Sequence, residues 1–232
     1  MTLTQKKTSN ISIIVPTLNE VQNLSGLVPC AQKVQELIVV DGGSRDDTVK
    51  LAKKLGFRVI EETEPGGRGT QLNTGAANAS GSILLFLHAD TLLPPDFHGA
   101  ICRCLQNPAT ILGAFQLQVK NSNLLLKVIL KFANFRSKML QLPYGDQAFF
   151  IRKQDFVKLG GFPEVPIMED YIFAKQVKKK GRIQTLDQAV TTSARRWQRL
   201  GVIRTTLVNQ VVILGYYMGI QPEKLAAFYR KK

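Results

Sequence analysis

The chain has 232 residues, enough for one domain that buries about 70% of its unfolded surface without a disulfide or metal staple. Its 44% hydrophobic and 21% charged residues are the balance of an ordinary globular protein, while a formal net charge of +14 draws it toward something acidic. That partner class spans nucleic acid, an anionic membrane surface and phosphate-bearing substrates, and charge alone does not choose among them.

The three cysteines, Cys30, Cys102 and Cys104, read as reduced thiols of a cytosolic protein, the last two standing too close in sequence for the common zinc spacings. The first ten residues hold no apolar run of the kind a secretory leader carries. The apolar stretch over residues 211–220 is too short to span a bilayer, so no transmembrane helix is expected.

In chain order, residues 11–15, 37–40, 58–60 and 83–87 are short apolar runs with β-branched character. They are continuous rather than alternating, as suits strands covered on both faces. Helical windows separate them. Residues 46–56 open on aspartates, close on lysines and stop at Gly56, following the helix dipole and the glycine stop signal. Residues 68–79 and 96–105 are further windows. Strand and helix in alternation predict right-handed βαβ units and a mostly parallel sheet.

The second half is less regular. Residues 113–120 read as a strand and 124–140 as a helix with Lys127, Lys131, Asn134 and Lys138 along one face. A strand over 147–152, a helix over about 170–180, a strand over 183–186 and a helical region from Val202 follow. With no internal repeat and no linker, one α/β domain over 1–232 is expected. Residues 11–120 would form one half and 121–232 the other, with a helical extension at the carboxyl end.

In open α/β sheets ligands bind beyond the carboxyl ends of the strands. The unusual polar residues fall at those points. Pro16, Thr17, Asn19 and Glu20 follow the first run; Asp41, Gly42 and Ser44 follow the second. Arg68 sits in a glycine-rich loop after the third, and His88, Ala89 and Asp90 follow the fourth. Singly each has a plain reading: Asp41 as a helix cap, the paired glycines as a turn. Together they mark a common edge.

The segments 15–20 (Val-Pro-Thr-Leu-Asn-Glu) and 39–48 (Val-Val-Asp-Gly-Gly-Ser-Arg-Asp-Asp-Thr), with the later Met168-Glu169-Asp170, resemble the signature segments of family 2 glycosyltransferases of GT-A fold. Residues 88–91, 143–147, 160–163, 166–170 and 193–197 are similar to a bacterial subgroup known as radical-SAM/selenodomain-associated transferase 2, some members of which are named carotenoid glycosyltransferases. The resemblance runs from about residue 11 to 197.

It implies roles for the matching positions. Pro16, Thr17, Asn19, Glu20, Gly42, Ser44 and Ala89 would shape a nucleotide-sugar pocket in which Asp41 accepts from the base. Arg68 would approach base or diphosphate, and Asp90 would sit at a divalent cation (Mn2+ or Mg2+) on the diphosphate. Asp170 would be the general base, with Glu169 supporting it or binding the acceptor. Tyr144, Gly145, Asp146 and Gln147 would form an acceptor-side loop, or only a tight turn before a strand.

The chemistry asks for the same residue types. A diphosphate leaving group needs cationic stabilisation, and an attacking hydroxyl needs one carboxylate to take its proton. Two departures stand out. His88 replaces the first aspartate of the family's Asp-x-Asp element, and would ligate a metal, touch phosphate or only pack. Ala194-Arg195-Arg196-Trp197 replaces the Gln-x-x-Arg-Trp of processive members, which implies transfer of a single sugar. Arg195 and Arg196 would clamp the diphosphate or form a solvated basic turn, and Trp197 would wall the acceptor site or join the core.

The expected partners are therefore a nucleotide-sugar donor, first of all a UDP-sugar, and a hydroxyl acceptor, with a lipid or carotenoid among the candidates. No nucleic acid is expected, since the aromatic-basic interleaving that stacks bases is missing. The lysine-striped helix would lie on an anionic leaflet, placing the protein in the cytoplasm at the inner face of the membrane, or would simply pack with a solvated face. The rivals are a nucleotide-binding chain that has lost turnover and, further off, a nucleotidyltransferase or a basic nucleic-acid-binding protein.

Overall fold

A computed structural model of the protein describes residues 10–62, 66–120 and 122–230. The amino-terminal residues read for a leader and the terminal Lys231 and Lys232 lie outside the described residues, Asn10 excepted. In chain order the elements are β1 (Ile11–Thr17), a 3-10 turn (Leu24–Leu27), α1 (Val28–Ala31), β2 (Glu36–Asp41), α2 (Thr48–Lys54), β3 (Arg58–Glu61) and α3 (Arg68–Asn78). Next come β4 (Ile83–Phe86), β5 (Thr91–Leu92), α4 (Phe97–Gln106), β6 (Thr110–Val119), α5 (Leu124–Leu140) and a 3-10 turn (Gly145–Gln147). The chain continues through β7 (Phe150–Arg152), α6 (Lys153–Lys158), α7 (Glu169–Lys178), β8 (Arg182–Thr192), α8 (Arg195–Leu200), α9 (Val202–Tyr217) and α10 (Pro222–Arg230).

The strands form one sheet in the order β3-β2-β1-β4-β7-β6-β8-β5. The first four are parallel, as expected from the βαβ pattern. The mostly parallel sheet has two exceptions. β7 runs antiparallel between β4 and β6, and the short β5 is antiparallel to β8. β6 and β8 are parallel again.

Both faces of the sheet are covered, which explains the continuous apolar runs. On β1, Ile11, Ile13 and Val15 join one core layer with Val39, Leu85 and residues of α4, while Ile14 points into the other with Ile38, Val40 and residues of α3 and α7. Gly56 has φ +77° just after α2, the left-handed stop its lysine-rich end predicts.

Several boundaries differ from the sequence reading. The strand expected over 147–152 is a 3-10 turn and a left-handed Ala148 (φ 50°) before β7 begins at Phe150. β8 extends to Thr192, well past the apolar residues at its start. A third cluster, Met168, Tyr171, Val212 and Leu225, fastens α9 and α10 over the start of α7. That packing closes a cavity against the sheet edge.

Candidate functional site

The cavity has a volume of about 810 Å³ and lies between the carboxyl edge of the sheet and helices α8–α10. From the sheet side come Glu20 after β1, His88 and Asp90 after β4, and Arg68 at the start of α3. Asp146 and Tyr144 reach it from the 3-10 turn, Asp170 from the first turn of α7, and Arg195, Arg196 and Trp197 from α8. Asp90 and Asp170 therefore share one cavity.

Its inner end is built around Arg68. The guanidinium donates from Nε to Glu169 Oε1, lies 3.5 Å by Nη2 from Asp170 Oδ2, and stands 3.2 Å by Nη1 from His88 Nε2. Glu169 and Asp170 occupy the first turn of α7, where the helix dipole favours anions. Burial, then the neighbouring Arg68 charge, pushes the His88 imidazole down to about 4, so it is neutral at pH 7. A neutral ring facing an arginine must accept through Nε2 and keep its proton on Nδ1.

Burial raises the Glu169 carboxyl, with the Arg68 charge pulling the other way. Asp170 Oδ2 accepts from the Gly145 backbone N–H at 2.7 Å, so the acceptor-side turn is tied to this carboxylate. Burial, then the Asp170 charge, pushes the Asp146 carboxyl up to about 6, while the Arg136 and Arg68 charges and its own backbone N–H pull the other way.

The other end is built around Arg195. Its Nη2 donates to Glu20 Oε2 and Asp90 Oδ2, each at 3.1 Å. The Thr192 and Thr91 hydroxyls stand 3.5 Å from Asp90 Oδ1. Arg196 stacks its guanidinium 4.1 Å above the Tyr229 ring. Residues 195–200 are helical rather than a turn, and both arginines have partners while the Arg195 side chain stays half-exposed. Trp197 lines the cavity and also packs against the main core.

Other expected site residues do not line the cavity. Asp41 is 2% exposed, and its carboxylate accepts from Thr17 Oγ1 (3.1 Å), Ser44 Oγ (2.5 Å) and the amides of Gly43 (3.0 Å) and Ser44 (2.8 Å). It does not converge with Asp90 and Asp170; it organises the loop between β2 and α2. Asn19, at φ 57°, joins that loop to the one after β1: its side chain accepts from Arg45 N and its amide donates to Ser44 Oγ, both at 2.8 Å. Pro16, Thr17, Asn19, Gly42 and Ser44 so form a paired-loop shelf beside the cavity rather than its wall.

Ala89 is buried, and Gln147 is committed to the Phe115 carbonyl and the Tyr144 amide. Gly145 and Glu169 act from behind the wall, through Asp170 and Arg68. The sequence reading missed Tyr171, Thr192, Thr205, Asn209 and Tyr229, all on the lining. Thr205 and Asn209, polar within a largely apolar α9, were the signal available for that helix.

Among the described residues no group of three His, Cys, Asp or Glu side chains stands ready to hold a metal. Asp90 and Glu20 stand together at this end, and one or two carboxylates beside a diphosphate are a pattern typical of magnesium with substrate phosphates. His88 Nε2 is already turned to Arg68, which argues against ligation through that nitrogen in this arrangement. The donor set fits a cation carried largely by substrate oxygens.

Residues 12–160 match the model of glycosyl transferase family 2. An uncharacterised glycosyltransferase of Mycobacterium tuberculosis (strain ATCC 25618 / H37Rv) is 38% identical over 94 residues, 37% of this chain and 36% of that protein. The match thus spans about a third of the curated relative's length. Among solved structures, Staphylococcus aureus TarS residues 1–349 in complex with UDP aligns at a TM-score of 0.64 with 19% identity, covering 79% of this chain and 60% of that one.

The glucosyl-3-phosphoglycerate synthase of Mycobacterium tuberculosis, in complex with Mn2+, UDP and glucosyl-3-phosphoglycerate, aligns at 0.61 with 21% identity, covering 92% and 81%. Both likenesses are of fold. The family match covers well over half of the chain, includes the loops after β1, β2 and β4, and agrees with the architecture: the chain belongs to glycosyl transferase family 2.

Proposed function

We propose that the protein moves one sugar from a nucleotide-sugar donor to an acceptor hydroxyl, with inversion at the anomeric carbon and without processive chain growth. The observation that carries this reading is the sharing of one 810 Å³ cavity by Asp90, Asp170, Arg68 and Arg195. A donor diphosphate would take the end with Asp90 and Arg195. The acceptor would enter beside Tyr144 and Asp146, with Asp170 positioned to receive the hydroxyl proton as the new bond forms. Arg68 and Glu169 hold Asp170 in place, and a single displacement with a single base inverts the centre.

The loop pair built on Asp41, Ser44 and Asn19, with Pro16, Thr17 and Gly42, would receive the nucleoside. UDP is the first candidate, in keeping with the UDP complexes of the two structural neighbours. A cation bound with the diphosphate would supply charge stabilisation to the leaving group; Asp90 would hold it from the protein side, with Glu20 and Arg195 as neighbours. For the acceptor we favour a lipid or carotenoid hydroxyl, met at the anionic inner face of the membrane, where a +14 chain is attracted.

The test is a screen of UDP-, GDP- and dTDP-sugars, reading nucleotide release and the anomer formed by NMR. Asp170→Asn is expected to abolish transfer while leaving UDP affinity near that of the parent. Nucleotide binding with no turnover of any donor or acceptor in the parent would favour a binding protein that has lost catalysis. Arg195 already neutralising Glu20 and Asp90 is the feature that keeps this second reading alive.

A further inference from the structure

Two helices turn large apolar side chains to solvent in the same pattern. On α5 these are Leu124, Val128, Phe132, Phe135 and Met139; on α9 and just after it, Ile203, Leu207, Val211, Leu214 and Met218. Each set steps by four, four, three and four residues, so each forms a single stripe along its helix. The stripes are well exposed, with Phe132 at 70%, Leu124 at 79% and Leu214 at 61%. Neither is the core-facing side. α5 buries Leu126, Leu130 and Ser137 instead, and its Asn134 bonds the Leu117 backbone; α9 buries Thr205, Val208, Val212 and Gly215. Contiguous apolar surface of this kind marks an interaction site.

Charge selects the occupant. Lys127, Lys131 and Lys138 run along one flank of the α5 stripe and line a groove of about 510 Å³ with Gln116 and Gln118. Lys138 pairs with Asp187, while Lys127 and Lys131 make no ion pair among the described residues. Arg136 lies on the other side of α5, and Arg204 stands next to Ile203 on α9. A second copy of the chain would bring another +14 against this surface, whereas an anionic bilayer offers apolar depth beneath a negative plane.

We infer that α5 and α9 are the membrane-docking elements of this protein, inserting their apolar stripes into an anionic bilayer while the lysine row takes lipid headgroups. The inference rests on the membrane location proposed above and names the surface responsible for it. No described helix is long and apolar enough to cross a membrane, so the contact is interfacial. It also places the cavity. The inner side of α9 contributes Thr205, Asn209 and Val212 to the cavity wall, so the helix that touches lipid on one side touches substrate on the other. The two helices are tied at the cavity rim: Arg136 of α5 stacks 3.6 Å above Tyr144, Tyr144 packs edge-on against Tyr171, and the Tyr171 hydroxyl meets that of Tyr217 at 2.6 Å.

Flotation of the full chain with phosphatidylcholine vesicles, with and without phosphatidylglycerol, tests this. The parent should float with the anionic vesicles at low salt and stay below with phosphatidylcholine alone. The double variants Phe132→Ser/Phe135→Ser and Leu207→Gln/Leu214→Gln should each lower the bound fraction roughly tenfold or more. Both should keep the parent's far-UV circular dichroism and its hydrolysis of the donor in water. A parent that stays in solution with anionic vesicles, or variants that float as it does, overturns the inference. So does sedimentation equilibrium showing a parent dimer that these substitutions split, because the stripes would then cover each other. Flotation of the parent without any donor hydrolysis would uphold the docking surface and strike only the proposed reaction.

Discussion

Replacing Gly145 with alanine perturbs the proposed base without touching its chemistry. A Cβ at this position would lie 2.9 Å from Asp170 Oδ2, 3.1 Å from its Cβ and 3.4 Å from its Cγ. An ordinary carbon–oxygen contact is about 3.4 Å or longer, so the carboxylate oxygen must retreat by about half an ångström. The Gly145 N–H that donates to the same oxygen at 2.7 Å belongs to the residue doing the pushing, so relief of the clash strains that bond.

Asp170 cannot retreat with its helix, because Phe173, Ala174 and Val177 fix α7 in the core. The carboxylate must rotate instead. Loss of a hydrogen bond to a charged group costs about 1.5–3 kcal/mol, and the same energy placed on the barrier slows transfer about 10- to 150-fold. The assay is kcat for sugar transfer beside UDP affinity by calorimetry and Tm by scanning fluorimetry. The expected result is a fall in kcat in that range, UDP affinity within about twofold of the parent, and a Tm lower by about 2–10 °C. A folded variant with the parent's kcat would refute the assignment of Asp170 as the base held by this turn.

Three further outcomes follow from the site. Asp41→Ala strands the hydroxyl and amide donors of Thr17, Gly43 and Ser44, and should destabilise the chain by about 3 kcal/mol in urea unfolding while weakening nucleotide binding. An unchanged urea midpoint would show that the loop does not depend on this carboxylate. Asp146, with its carboxyl pushed up to about 6, holds more protons folded than unfolded, so its contribution to stability falls as pH rises from about 4 through 6. Asp146→Asn should therefore raise Tm at pH 7.5 and leave it nearly unchanged near pH 3.5; equal effects at both values would contradict the shift. Asp90→Ala should remove any strengthening of UDP binding by Mn2+, leaving cation-free binding equal or tighter because Arg195 is released toward phosphate. Retained Mn2+ dependence in that variant would place the cation elsewhere.

Much of the fold was legible because its first half obeys local rules. β1, β2 and β4 are continuous apolar runs since neighbouring residues feed opposite core layers, as Ile13 and Ile14 do. What escaped was decided by tertiary contact. β8 was read only over 183–186 because Asp187 and Gln188 interrupt its apolar residues before Ala189, Val190 and two threonines, and its strand state there depends on pairing with β6 and β5. The six-residue α8 is too short to be set by helix propensity; ion pairs from Arg195 to Glu20 and Asp90 hold its start. α5 was read as amphipathic through its lysines, yet apolar side chains lie on both its buried and its exposed sides, which composition around a helical wheel does not separate.

The site was legible as residue types and illegible as directions. A carboxylate after a strand looks the same in sequence whether its oxygens face a ligand or its own loop. Asp41 faces its loop, with four donors upon it, whereas Asp90 and Asp170 face the cavity with arginines upon them. That difference has a consequence for binding. Both cavity carboxylates are paired with arginines, so entry of a diphosphate at the Asp90 end would exchange one ion pair for another. On the proposed reaction, a divalent cation arriving with the diphosphate would resolve that exchange: Asp90 would hold the cation and Arg195 would turn to phosphate. At the Asp170 end no phosphate is expected, so Arg68 would stay on Glu169 and the proposed base would keep the fixed orientation that proton transfer from an acceptor requires.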